Sequence, residues 1–138
     1  MPENFEILEH IADLKIRVWA KTKKELFENA LLAMASILAP VSNLSDRTDL
    51  KQNVQVKASD LETLLIDFLN EVLYFSQTKK AIFDKIKILK FTDTEIIGEL
   101  SGKEVESFSE DIKAATYHNL SVRQNQDGIW EAIILFDV

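Results

Sequence analysis

A chain of 138 residues, 46% apolar and 28% charged, has the make-up of one globular domain and not of a disordered segment. It has no cysteine, which excludes disulfide scaffolds, thiolate metal sites and cysteine nucleophiles. Its net charge of −7, from 16 basic and 23 acidic residues, argues against stand-alone nucleic-acid binding, and no apolar run is long enough to span a membrane.

The first residues, Met1-Pro2-Glu3-Asn4, are polar and acidic, unlike the basic and then apolar start of a secretory signal, so the cytoplasm is the expected compartment. Residues 5–9 predict a short strand. After His10-Ile11-Ala12-Asp13, the segment Leu14-Lys15-Ile16-Arg17-Val18-Trp19-Ala20 alternates strictly between apolar and polar residues. That period of two predicts a strand with one buried and one wet face. Thr22 and Glu25 have capping-box spacing, and Leu26, Phe27, Ala30, Leu31, Met34, Ile37 and Leu38 recur at helical spacing. They predict a helix over 23–39, stopped by Pro40.

Residues 42–49 read as a polar loop and 50–57 as a strand through Val54 and Val56. Ser59 and Glu62 form a second capping box, opening an amphipathic helix that ends near Gln77. Both helices carry a wide apolar stripe and are expected to pack on a sheet. The rest reads as strands: 82–91, a turn at Asp93-Thr94, then 95–100. A polar connector with Gly102 and residues 107–110 follows, then strand pieces at 113–118 and 120–124. A hairpin turn at Asp127-Gly128 leads to a final apolar strand at 129–136. No shift in composition marks a boundary, so residues 1–138 are expected to form a single α+β domain, with two amphipathic helices packed on a mainly antiparallel β-sheet.

The sequence has no phosphate-binding glycine loop, no H-E-x-x-H and no G-x-S-x-G elbow, and two histidines are too few for a multi-histidine zinc site. Two acidic features stand out. Glu9-His10-Ile11-Ala12-Asp13 lies between two strands, and Asp137 ends an otherwise apolar strand one residue before Val138. Each taken alone is most simply a solvated turn or chain end. If the last strand lies beside the early ones, Asp13, Asp137 and the carboxylate or carbonyl of Val138 converge into an oxygen site for a hard cation such as Ca²⁺ or Mg²⁺. Lys113-Ala114-Ala115-Thr116-Tyr117-His118 is either a solvated edge strand or a polar patch for a partner or nucleotide phosphate. Asp67, Asn70 and Glu71 are read as the wet side of the second helix.

Five stretches, in order, resemble the archease family. They are Glu9-His10-Ile11-Ala12-Asp13, Lys24-Glu25-Leu26-Phe27-Glu28-Asn29-Ala30, the helix from Asp60 through Asp67-Phe68-Leu69-Asn70-Glu71 to Tyr74, Lys113 to His118, and the closing Phe136-Asp137-Val138. Ile11 stands where that family usually has Thr, and Lys15 where it often has Gly; the first removes a hydroxyl beside the expected metal. The resemblance implies an archease-like α+β fold and a non-enzymatic accessory role. It implies activation of an RtcB-type RNA-splicing ligase by promoting its guanylylation and turnover in tRNA splicing, with tRNA met only through the ligase. It also implies a divalent metal, Ca²⁺, bound by Asp13, Asp137 and the main chain of Val138, with Lys113 and His10 as partner or nucleotide contacts. A general chaperone or modulator of RNA-modifying enzymes is the alternative, and a metal-dependent hydrolase a third reading.

Overall fold

The alternating segment forms β2 (Asp13–Ala20), preceded by β1 (Phe5–His10). Leu14, Ile16, Val18 and Ala20 are buried, while Asp13, Lys15, Arg17 and Trp19 take the other face. The computed structural model describes residues 4–10, 13–39 and 49–138. Ile11 and Ala12 of the acidic turn, Pro40, and residues 42–48 of the expected loop lie outside the described residues.

Helix α1 (Lys23–Leu38) starts as its cap predicts: Thr22 Oγ1 accepts the Glu25 N–H at 3.1 Å. Helix α2 (Leu61–Lys79) is capped one residue later than expected. Asp60, not Ser59, is in the extended conformation with its Oδ1 accepting the Thr63 N–H at 2.8 Å. A carboxylate also suits the positive end of the helix dipole better than a hydroxyl. The Thr63 N–H holds the Asp60 carboxyl below its ordinary range. The helix runs two residues past Gln77, until Lys80 adopts a left-handed conformation with φ 49°.

The remaining strands are β3 (Asp49–Lys57), β4 (Ala81–Thr92), β5 (Glu95–Glu104), β6 (Ala114–Gln124) and β7 (Trp130–Asp137). Two differ from the sequence reading. Gly102 lies inside β5, opposite Phe83, and not in a connector. Lacking a side chain, it lets the β4 backbone pass close by. The two pieces at 113–118 and 120–124 join into one strand, with an irregular register between Thr116 and Ser121 and a positive φ of 55° at Asn119. Asp127-Gly128 turns as expected, with Gly128 at φ 81°.

The strands form two antiparallel sheets, ordered β1-β2-β7-β6 and β3-β5-β4. Both helices touch both sheets: α1 meets β2 and β4, and α2 meets β6, β3 and β4. They fill a layer between the inner faces, which is why their apolar stripes are so wide. Phe27 packs at a tilt against Phe68 and edge-on to Phe91, with ring centroids 5.7 and 4.9 Å apart, and joins α1 to α2 and β4. This layering leaves the outer face of each sheet to solvent.

Candidate functional site

Asp13 opens β2 and Asp137 closes β7, and the two are direct partners in register. Residues opposite each other in an antiparallel pair project from the same face. The two exposed carboxylates therefore stand side by side at one end of the outer face of the four-stranded sheet. Opposed like charges weaken strand pairing. Here they sit where the chain can bear the repulsion, because the remaining seven β2·β7 pairs from Leu14↔Phe136 to Ala20↔Trp130 hold the register.

Strand β6 completes this end from the other side. Ala114 pairs with Asp137, and the Lys113 N–H donates to the Asp137 main-chain oxygen at 2.7 Å. Val138 is half-buried against the core. On the far side of β2, the backbone of His10 in β1 is opposite Leu14. The structure thus brings together Asp13, Asp137, Val138 and the backbone at Lys113, with the backbone of His10 one strand away.

The donor chemistry suits a hard cation, since carboxylate and main-chain oxygens are what Ca²⁺ and Mg²⁺ take. The number of donors is small: among the described residues, no group of three or more His, Cys, Asp or Glu side chains is gathered. The carboxylates of Asp13 and Asp137 and the main-chain oxygen of Val138 are donors of the kind Ca²⁺ takes, but too few by themselves to complete its shell.

Asn70 has a role that sequence periodicity misses. It does not belong to a wet side: its Nδ2 donates to the Ala115 oxygen at 3.0 Å, and its Oδ1 accepts the Ala115 N–H at 2.8 Å. This pair of bonds ties α2 to the start of β6. The signal was available, because an Asn in mid-helix between Leu69 and Val72 is a poor helix former at the rim of an apolar stripe and calls for a partner. One turn earlier, Asp67 accepts a short hydrogen bond from the Tyr117 hydroxyl. That bond is the main reason the Tyr117 phenol is raised above its ordinary value, with burial and the Asp67 charge adding to it.

A phenol raised in the folded state contributes stability below its unfolded pKa and loses it as pH rises through the folded value. The expected result is a Tyr117 titration, followed by near-ultraviolet absorbance in a Tyr74→Phe background, that moves back down in Asp67→Asn. An unchanged titration would disprove the assigned cause.

The fold and site define a class, a small α+β domain with a helix layer between antiparallel sheets and an acidic pair where the last strand meets an early one. Residues 5–138 match the archease protein family, and the chain belongs to it. Protein archease of Methanosarcina acetivorans is 35% identical over 146 residues, covering 99% of this chain and 97% of that protein. Protein archease of Pyrococcus furiosus is 30% identical over 141 residues, covering 97% and 98%. The solution structure of Methanobacterium thermoautotrophicum protein 1598 superposes with a TM-score of 0.74 at 26% identity, over 99% of this chain and 100% of the other. A crystal structure from Thermotoga maritima, described as an archease and possible chaperone, shares the fold at a TM-score of 0.69 and 19% identity, over 96% of each chain. No helix among the described residues is long and apolar enough to cross a membrane.

Proposed function

We propose that this chain is an accessory protein that activates an RtcB-type RNA-splicing ligase in the cytoplasm, promoting its guanylylation and turnover in tRNA splicing. The observation that carries the reading is the registered pair Asp13–Asp137 on an outer sheet face, in a chain of the archease family. The pair is exposed, so a partner can reach it. In this reading the chain does no chemistry of its own. It docks near the ligase active site and binds the guanylylation-competent state better than the resting one, which is all that activation requires. A preference of about 100-fold corresponds to about 2.7 kcal/mol.

Asp13 and Asp137 would hold the divalent cation, Ca²⁺, together with main-chain oxygen of Val138. When bound, that cation supplies positive charge that a phosphate or carboxylate of the partner can share. The Lys113 N–H fixes the Asp137 main chain, and the Lys113 side chain is exposed to meet the partner or its nucleotide. His10 is the further contact in this reading.

The test is ligase guanylylation with GTP and Mg²⁺ or Mn²⁺, with this protein at sub-stoichiometric amounts, comparing wild type with Asp13→Ala and Asp137→Ala. Wild type is expected to stimulate, and each variant to lose most of the stimulation. Stimulation that survives both changes discards the cation role. No stimulation of a competent cognate ligase discards the partner. The description of the Thermotoga maritima protein as a possible chaperone favours a second reading, general protection of RNA-modifying enzymes by surface binding. That activity would survive both substitutions.

A further inference from the structure

The outer face of the three-stranded sheet runs against the charge of the rest of the molecule. Register sets which residues share it. Lys57, Glu95 and Thr92 form one row, Gln55, Ile97 and Lys90 the next, then Asn53, Glu99 and Lys87, and then Lys51, Ser101 and Lys85. Lys103, paired with Asp49, closes the face. Six lysines therefore meet three carboxylates here, with Asp84 of the β4 bulge a fourth beside them, in a chain of net charge −7.

The carboxylates do not neutralise the face. Glu95 is shared between Lys90 at 2.7 Å and Lys57 at 3.8 Å, and Lys51 donates to the Ser101 hydroxyl at 2.8 Å. Among the described residues, exposed Lys85 and Lys87 meet no carboxylate at ion-pair distance. The helix layer separates this face from the one bearing Asp13 and Asp137, so a partner on the acidic end leaves the lysines uncovered.

We infer that this lysine face binds the phosphodiester backbone of RNA. Lysine is depleted at protein–protein interfaces, whose centres rely on aromatic, Met and Arg anchors. The row pattern here has no aromatic and no arginine; Asn53, Gln55, Thr92 and Ser101 fill it with polar groups, and Ile97 in the rows and exposed Leu89 at the second β4 irregularity are its aliphatic members. Such a surface suits a polyanion held by point charges and polar donors. Without aromatic platforms it does not stack bases, so binding is independent of sequence. The acidic remainder of the molecule repels the same polyanion, which confines it to this face. The choice of RNA among polyanions rests on the proposed ligase partnership; the cationic face itself does not. The contact is direct, beyond the indirect tRNA association expected from sequence.

The test is fluorescence anisotropy of a labelled single-stranded oligouridylate with the full chain at low salt, without ligase. Wild type is expected to bind with a Kd on the order of 10⁻⁴–10⁻⁶ M and a log–log salt slope of about −2 to −3, for three or four phosphates at ~0.7 each. Lys85→Glu/Lys87→Glu should weaken binding at least about tenfold and flatten the slope by about 1.4. Lys24→Glu, an exposed reversal on α1, should change neither. Equal binding by wild type and the double variant, or a slope near zero, overturns the inference. Binding of polyglutamate but not oligouridylate overturns it in favour of an acidic protein. Guanylylation needs no RNA, so the double variant should stimulate that step as wild type does and support RNA joining less well. Loss of both steps points to a ligase contact and overturns the RNA assignment, while failure of wild type to stimulate guanylylation tells against the ligase reading alone.

Discussion

Gly102→Ala is expected to destabilise the protein by about 3 kcal/mol or more, a large share of the roughly 5–15 kcal/mol that holds an ordinary domain folded. A Cβ at position 102 would lie 2.1 Å from the main-chain oxygen of Ile82 and 2.8 Å from the Phe83 Cα. Those atoms belong to the backbone of β4, where no rotamer change can make room. Relief requires pulling β4 away from β5 next to fully buried Phe83, which opens the core. The other glycines give an internal scale. At Gly98 the added carbon would meet the Lys87 main-chain oxygen at 2.7 Å, and its other close contacts are side-chain atoms of Ile86, so the cost is smaller. At Gly128 space is open to 3.7 Å and only the positive φ of 81° is strained, for about 1 kcal/mol. Urea denaturation of the three alanine variants should rank them Gly102, Gly98, Gly128 from most to least damaging. A Gly102→Ala protein within about 0.5 kcal/mol of wild type would disprove the close approach.

How much of this was legible beforehand depends on whether the cause is local. The alternation of Leu14 to Ala20 writes a half-buried strand into seven consecutive residues, and β2 contains all seven and begins one residue earlier, at Asp13. The Thr22 cap and the αL glycine at 128 are equally local. The acidic pair was legible as one residue type at two places, and membership of the archease family follows from motifs spread over the chain. The meeting of Asp13 with Asp137 is a register between strands 124 positions apart, which no short window encodes. Likewise, Ser59 and Asp60 are both good caps, and only the backbone path decides for Asp60. The lysine face was invisible for the same reason. Its residues come from β3, β4 and β5, and each strand alone looks like an ordinary wet edge until the register puts them in rows. The net charge of −7 concealed it further, because a global sum carries no position.

Asn70 is the position where stability and the candidate site are expected to fail together. Its amide makes both hydrogen bonds of the Ala115 main chain, which is 3% exposed and out of reach of replacement water. Asn70→Ala leaves a buried N–H and a buried C=O unmatched, each worth about 1–3 kcal/mol, so a loss of about 2–4 kcal/mol is expected after partial relaxation. Asn70→Asp keeps the acceptor for the Ala115 N–H but removes the donor and adds charge, so it should not rescue. The damage has a direction as well as a size. Ala115 is two residues from Lys113, whose N–H holds the Asp137 main chain at 2.7 Å. Freed from α2, this start of β6 should open locally more often than the rest of the sheet. Amide exchange checks this separately from global unfolding: in Asn70→Ala, Lys113 and Ala115 should lose protection by more than the interior of β5 does. If the proposed activation of the ligase depends on a fixed Asp137, stimulation should fall in Asn70→Ala under conditions where the variant is still folded. Equal loss of protection everywhere would reduce Asn70 to a stabilising residue. Unchanged protection at Ala115 would mean that the bidentate bond does not form in solution.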